Sequence, residues 1–437
     1  MARHPRESAP RLGSALGVSG RPAVTNEEIP SPASLLSRVP ALPLESPRRL
    51  FLRFLRFGLL AWGGPVAQIA MIRRELVDEE RWVTPEHFNR VFGLYQVLPG
   101  PEAHELCVYF GMRAGGRLGG LLAGLGFMLP GLVLMLALSW AYVTFGMEAP
   151  VLAAVFYGTQ PAIAAVVLRA VHRIGQPVLR DRWLWAIAAT AALGEIAGLP
   201  FLVSLPALGA AYLLEDRRQR GPAALAIALV FVVSLALLAG ITLPPHAGFR
   251  PGGQPPNAPS HVALFGSGLR TGLLTFGGAY TAIPFLRNDA VNVGRWMTDD
   301  QFLDGLAITG VLPAPLVIFG TFVGYVGGGL AGALALTAGI FFPAFAFTLV
   351  AHEPLERLVM HPPVHAFLKG VTAAVVGLIA VSAIVLARTA VTDAWTFVIA
   401  AGVLLLLYQT HAKLAILAAV SGGGAAGWLI QRFVTGP

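Results

Sequence analysis

The stretch QVLPGPEAHELCVYFG, residues 96–111, places two prolines, a glycine and three ionisable side chains inside a segment apolar enough for a membrane. A proline inside a helix removes a hydrogen bond and biases the residue before it away from helix. Because proline is well tolerated at the first helical position, we expect Pro101 to begin a second half-helix in mid-membrane. The alternative is a kink that neighbouring helices fill.

The composition predicts an all-α polytopic membrane protein. Of 437 residues, 55% are hydrophobic and only 12% are charged, whereas a soluble domain has about 25% charged residues. Apolar runs of about 20 residues, the length that spans a bilayer, recur from residue 51 onward, and only helices or closed barrels span lipid. The net charge of +8 does not indicate nucleic-acid binding, because the arginines sit in short loops between apolar runs.

Apolar windows predict about thirteen membrane spans, and the chain is predicted to have a cytoplasmic N-terminus. The positive-inside rule supports this orientation, although the outer loop at 73–90 also carries arginines. Residues 1–47 are predicted to be a disordered cytoplasmic tail and residues 244–260 a linker. The predicted spans are 51–72, 88–111, 117–143, 151–169, 183–198, 199–214, 222–243, 263–286, 302–326, 329–350, 364–387, 394–408 and 412–430.

An internal repeat divides the chain into two halves, 48–243 and 261–437. FGLLAWGGPVAQIAMIRRELVDEERWVTPEHF at 57–88 aligns with RTGLLTFGGAYTAIPFLRNDAVNVGRWMTDDQF at 270–302, and the same offset carries LPGP onto LPAP. Seven predicted spans precede the second copy, which places the copies in opposite orientations, the inverted repeat of many secondary transporters. If 183–214 is a single span, the two copies are parallel instead.

The interrupted segments predict an anion-binding site. Half-helix N-termini expose N–H groups and a positive dipole end that favour an oxyanion, and glycine pairs allow close backbone approach. Small-residue helix packing is the alternative reading of the glycines, and Gln68 can donate to an oxyanion. The predicted substrate-binding residues are Gly63, Gly64, Pro65, Gln68, Pro99, Gly100, Pro101, Gly277, Gly278, Pro313, Ala314 and Pro315.

Five charged residues near these motifs receive roles of their own. Glu102 and Glu105 share a helical face in the first turn after Pro101, and intramembrane ionisable groups usually mark a substrate or proton path. They are predicted to carry a coupling proton, with capping of the helix N-terminus as the alternative. Electrostatic steering of the anion is predicted for three arginines at the end of the first span of each copy: Arg73, Arg74 and Arg287. The alternative is that they only anchor the span ends at the membrane interface.

Both halves resemble the chromate ion transporter family in its long-chain, two-domain form. The resemblance rests on FGGP, RW before VTPEHF, and LPGP in the first half, and on TFGGAYTAIPFL, GRWMTDDQFL and LPAPL in the second. It implies a permease of the cytoplasmic membrane, with chromate efflux as the best-known activity and sulfate as the structural analogue. Glu-Ala-His-Glu after the first PGP departs from the small or uncharged residues of chromate-resistance members.

We therefore predict a secondary transporter of a small inorganic oxyanion, with chromate efflux first and exchange for protons as its coupling. Sulfate or another dianion, or an anion channel, is the alternative. An enzyme is not indicated, because the sequence has no nucleophile–base pair and no metal-ligand spacing. Neither lysine follows a glycine, which excludes a Walker A loop. No cofactor, metal or nucleic acid is expected; the lipid bilayer and the anion are the expected partners, and a homodimer is left open.

Overall fold

The computed structural model describes residues 45–435, except 63, 97, 146–149, 241–258, 277, 360 and 411–413. All regular elements of the described residues are helical. The predicted tail lies outside them up to residue 44, and α1 begins at Pro47, the last residue assigned to that tail. The predicted linker lies outside them up to residue 258.

Helices of the two halves follow one another in the same order. The first half contains α1 (Pro47–Leu59), α2 (Gly64–Arg73), α3 (Pro85–Tyr95), α4 (Glu102–Phe145), α5 (Pro150–Val178), α6 (Arg182–Ile196), α7 (Phe201–Asp216) and α8 (Arg220–Leu238). The second half contains α9 (His261–Leu274), α10 (Ala282–Arg287), α11 (Asp299–Gly310), α12 (Phe319–Val350), α13 (His352–Val359), α14 (Pro362–Ala390), α15 (Ala394–Gln409) and α16 (Ala415–Ile430). A π-helical segment continues α2 and α10, and a 3-10 turn precedes α10 and α12.

A glycine pair folds α4 and α12 into two antiparallel arms each. Gly116 and Gly329 have φ of 63° and 61°, a left-handed conformation that glycine adopts without a steric penalty. The short arm of α4 is 102–114 and its long arm 117–145; in α12 the arms are 319–327 and 330–350. Across the second turn, the hydroxyls of Thr321 and Thr337 are 2.7 Å apart.

The predicted span 51–72 turns back on itself. Arg53 Nη1 lies 3.3 Å from Glu75 Oε1 and 2.5 Å from Glu80 Oε1, so the two ends of the segment meet. The helix stops at Leu59, and α1, with 13 residues, is about 20 Å long, shorter than the roughly 30 Å hydrocarbon core. This prediction is corrected to a helical hairpin, because the chain around the glycine pair does not continue the helix.

The other three interrupted segments are hairpins too. In 263–286, Arg270 Nη2 lies 2.5 Å from Asp289 Oδ2 just beyond its far end. The ends of 88–111 meet where the rings of Phe88 and Phe110 lie 6.3 Å apart. In 302–326 the rings of Phe302 and Phe319 are 4.7 Å apart. The described residues at the tips of the four hairpins are 60–62 (tip 1), 96 and 98–101 (tip 2), 275, 276 and 278 (tip 3) and 311–315 (tip 4).

Equivalent threonines begin the second hairpin of each half. Thr84 Oγ1 accepts from His87 N at 3.2 Å, and Thr298 Oγ1 accepts from Gln301 N at 3.2 Å. Such N-caps satisfy amide groups that have no acceptor in the first helical turn. The residue after the threonine is a proline in the first half and an aspartate in the second. Both residue types are favourable in the first turn of a helix, so the local sequence favours a helix start in each copy.

Long apolar helices surround the hairpins. Among the described residues, five are long and apolar enough to cross a membrane: α4, α5, α8, α12 with its preceding 3-10 turn, and α14. The shorter α6 and α7 form a pair that returns to its starting face, because Tyr212 donates to Asp181 at 3.0 Å. The chain is thus an all-helical protein of the polytopic membrane class, and thirteen spans are not confirmed.

The long arms of the two copies pack against each other. Gly120 lies against Leu349, and Gly124 against Phe345. Residue numbers rise along one arm as they fall along the other, so the two arms run antiparallel. This contact brings the hairpins of both halves together in the interior of the chain.

Candidate anion-binding site

Hydrogen bonds join the hairpin tips crosswise between the two halves. Gly100 N in tip 2 donates to Thr275 O in tip 3 at 2.9 Å. Gln68, which follows tip 1, donates through Nε2 to Ala61 O at 3.0 Å and to Ala314 O in tip 4 at 3.1 Å. Each tip of one copy therefore contacts a tip of the other, and all four lie around one interior region.

A cavity of about 320 Å³ lies beside tips 2 and 3. Its volume is well above the roughly 30 Å³ share of one water molecule. Both halves contribute to its lining, which consists of Pro65, Ile69, Phe92, Gln96, Glu102, Arg173, Ile174, Pro177, Val178, Gly278, Ala279, Tyr280 and Thr372. Because Gln96, Arg173 and Pro177 are exposed, the cavity reaches the surface at the C-terminal end of α5.

The polar groups of this cavity suit an oxyanion. Arg173 supplies a permanent cation with several donors, and no acidic side chain among the described residues forms an ion pair with it. Tyr280 and Gln96 add a hydroxyl and an amide. A mostly apolar cavity with a few convergent donors is typical of small-ligand sites. Glu102 is the one acidic side chain of the lining, and in its ionised form it repels an anion.

A second, smaller cavity lies on the other side of Tyr280. It measures about 20 Å³, room for about one water molecule, and its lining includes Trp62, Gly64, Thr309 and Ala314. Tyr280 lines both cavities. Its side chain therefore stands between the larger cavity and the smaller one.

The predicted substrate-binding residues divide among several places. Pro65 and Gly278 line the larger cavity, and Gly64 and Ala314 the smaller one. Pro99, Gly100, Pro101, Pro313 and Pro315 lie within tips 2 and 4, and all but Pro99 are buried. Gly63 and Gly277 lie outside the described residues. The Gly100 amide and both bonds from Gln68 Nε2 are already used between tips, so in this structure these groups join the hairpins.

The two acidic residues after tip 2 have different surroundings. Glu102 is 7% exposed and lines the cavity. Glu105 is fully buried, and neither carboxylate oxygen has a hydrogen-bond partner among the described residues. It lies behind the cavity, next to the backbone of Gly100. Their proton role stays a prediction.

Each arginine predicted to steer anions has an acidic neighbour. Arg287 binds Asp299 through two hydrogen bonds of 2.7 and 2.9 Å and is only 9% exposed. Arg74 Nε lies 2.8 Å from Glu79. Arg73 Nε lies 3.9 Å from Asp78, and its guanidinium sits over the Phe88 ring. Steering stays a prediction, and the cation that lines the cavity is Arg173.

Sequence reasoning missed Arg173, Tyr280 and Gln96 as site residues. Arg173 was counted only as a topology signal near the end of an apolar run. Tyr280 lies two residues after the second glycine pair, in GGAYTAIP, where a lone polar aromatic residue is an available signal. Gln96 lies within the interrupted segment, two residues before LPGP, but hydropathy alone does not show which way such a residue faces.

Comparisons with known proteins agree on one family. The family described as "Chromate transporter" matches residues 48–245 and 262–428. The chromate transport protein of Pseudomonas aeruginosa is 52% identical over 417 residues, which cover 93% of this chain and 99% of that protein. The chromate transport protein of Cupriavidus metallidurans is 31% identical over 382 residues, 86% of this chain and 91% of that protein. No solved structure matches the chain.

Replacing Gln68 by leucine is expected to destabilise the joined tips. The carbonyls of Ala61 and Ala314 lose their shared donor, and a buried acceptor left without a partner costs about 1–3 kcal/mol. Thermal unfolding of the detergent-purified protein should show a lower midpoint for Gln68→Leu than for Gln176→Leu, a matched change at an exposed glutamine of α5. Equal midpoints for the two variants would contradict this role.

Proposed function

The chain belongs to the chromate transporter family, and on that premise we propose that it is a secondary transporter that moves chromate out across the cytoplasmic membrane. It is a transport protein and not an enzyme. The observation that carries the proposal is the cavity between the two halves, in which Arg173 is the only cation among the described lining residues. Chromate is a dianion with four oxygen acceptors, and Arg173, Tyr280 and Gln96 are matching donors.

We propose that the two halves form an inverted repeat. Two observations support opposite orientations. The long arm of α4 runs antiparallel to the long arm of α12, its counterpart in the repeat. The number of membrane crossings between equivalent points of the two copies is also odd, which reverses the second copy. The long arm of α4, α5 and α8 each cross once, and the pair of α6 and α7 returns to its starting face and so adds an even number.

The side on which the cavity opens supports efflux as the proposed direction of transport. It reaches the surface at the C-terminal end of α5, next to Arg180 and Arg182, and basic loops favour the cytoplasm. The proposed orientation therefore has the N-terminus in the cytoplasm and the cavity open to cytoplasmic chromate. An inside-negative potential favours dianion efflux by about 4.6 kcal/mol per 100 mV, since each charge contributes about 2.3 kcal/mol.

The second part of the proposal assigns a coupling proton to Glu102 and Glu105, one that binds together with the anion and sets its affinity. An ionised Glu102 and a dianion in the same cavity repel each other, so protonation and anion occupancy influence one another by linkage. Glu105 lies one helical turn deeper, on the same face of the short arm. A proton on either acid therefore changes the affinity of the cavity for the substrate.

Chromate flux into everted membrane vesicles tests the function and the site together. In Arg173→Gln we expect the KM for chromate to rise about tenfold or more, because a hydrogen bond to a charged group contributes about 1.5–3 kcal/mol. Arg180→Gln, an exposed change at the same helix end, is the matched control and should alter the KM far less. Equal effects in both variants would contradict the assignment of Arg173.

The same vesicles separate the alternatives in substrate and mechanism. With the membrane potential held at zero, a proton-coupled carrier accumulates chromate against its concentration gradient under an imposed pH gradient, whereas an anion channel can only equilibrate it. Sulfate flux that equals or exceeds chromate flux would favour the general dianion permease. Absence of any chromate flux in the wild type would overturn the proposed function.

Neutralising both acids tests the proton role. In Glu102→Gln/Glu105→Gln the charge that opposes the anion no longer depends on pH, so we expect the pH dependence of chromate KM to flatten. The measurement is the KM at a series of pH values in equilibrated vesicles, with Glu86→Gln, an exposed carboxylate of α3, as control. An unchanged flux with an unchanged pH profile would remove both residues from the proton path.

A further inference from the structure

A buried carboxylate outside the anion cavity also lies between the two halves. Asp304, on α11, is 1% exposed. Its Oδ2 accepts a hydrogen bond from Tyr142 Oη at 2.8 Å, and its Oδ1 accepts one from Gln160 Nε2 at 2.8 Å. Tyr142 belongs to the long arm of α4 and Gln160 to α5, so these bonds join a hairpin of the second half to two helices of the first. We call these three residues the Asp304 cluster.

The Asp304 cluster contains no cation. Among the described residues, no Lys or Arg forms an ion pair with Asp304. The charged residue that acts on it is Asp300, an exposed acid one turn earlier on α11, and the neighbouring Asp299 is bound to Arg287. Around Tyr142 the packing is aromatic, through the rings of Phe156 and Phe322. An ionised Asp304 therefore depends on two neutral donors, although a buried unpaired charge is costly.

The repeat does not explain why an acid stands here. In the alignment of the two copies, the residue equivalent to Asp304 is Arg90, which is exposed. An acid at this position is thus specific to the second half, and Asp304 lines neither cavity beside Tyr280. A buried ionisable group within a membrane segment usually marks an ion path or a proton relay.

We propose that Asp304, with Tyr142 and Gln160, is a proton-binding site that couples chromate efflux to proton entry. This inference rests on the proposed function. When Asp304 is ionised, both oxygens accept hydrogen bonds and hold α11 to α4 and α5. When it is protonated, the bond with Tyr142 can reverse so that Asp304 donates to Tyr142 Oη, while Gln160 Nε2 still donates to the other oxygen, and neither bond is any longer strengthened by a charge. Protonation therefore weakens a link between the halves.

A site apart from the anion cavity makes exchange feasible. At Glu102, a proton removes repulsion and favours chromate, so the two ligands bind together. Exchange requires instead that the proton be carried when the anion site is empty. Asp304 meets this requirement, because its proton does not change the charge that lines the cavity.

The test compares Asp304→Asn with Asp300→Asn, the matched loss of an exposed acid on the same helix. Everted vesicles are loaded with a pH-sensitive dye, and chromate accumulation and chromate-dependent proton movement are measured with and without an imposed pH gradient. We expect Asp304→Asn to lose both the stimulation by the gradient and the proton movement, while chromate exchange at equal pH continues. Asp300→Asn should keep both the stimulation by the gradient and the proton movement, because Asp304 is still present.

Gradient-stimulated accumulation in Asp304→Asn equal to that of Asp300→Asn would overturn this inference and leave the proposed function intact. No chromate flux in the wild type would overturn the proposed function itself. If Asp304→Asn does not elute as a single folded species, Tyr142→Phe decides. A shifted pH profile of accumulation in that variant supports the site, and an unchanged profile overturns it.

Discussion

Peptide groups in a membrane must find their hydrogen-bond partners within the protein, and this constraint governs the whole arrangement. A helix can end inside the hydrocarbon region only where other protein segments satisfy and cover its freed backbone groups. Here four hairpin tips do this for each other. The amide of Gly100 donates to Thr275 O, and the side chain of Gln68 bridges Ala61 O and Ala314 O. The larger cavity is the space that remains beside tips 2 and 3 where these tips meet.

The sequence predicted the helical class, the repeat and the places where helices break. The helix after the first break begins at Glu102, directly behind Pro101, and a 3-10 turn begins directly behind Pro315. Hydropathy did not show that the broken segments turn back, because an apolar run of suitable length looks the same whether it crosses or returns. The turn becomes evident only from two equivalent ion pairs in the structure, each of which joins the two ends of a hairpin: Arg56 with Glu75, and Arg270 with Asp289.

Prediction of the site was partial for a similar reason. Pro65, Glu102 and Gly278 were identified from the broken motifs, and they line the cavity. Arg173 was not identified, because an arginine near the end of a span satisfies the positive-inside rule wherever its side chain points. Asp304 stood in a segment read as an ordinary span, and only its contacts with α4 and α5 distinguish it. The established family fixes the transport class, while these contacts suggest where anion and proton bind.

The central claim is that the two copies are oppositely oriented and that the tips of their hairpins meet. The most direct measurement labels the turns between the arms of α4 and α12 in intact cells. Arg117 and Leu330 are exposed beside these turns, and the single cysteine, Cys107, can be replaced by alanine. The account predicts that a membrane-impermeant maleimide labels Leu330→Cys in intact cells and Arg117→Cys only after permeabilisation. Labelling of both cysteines from the same side would contradict it.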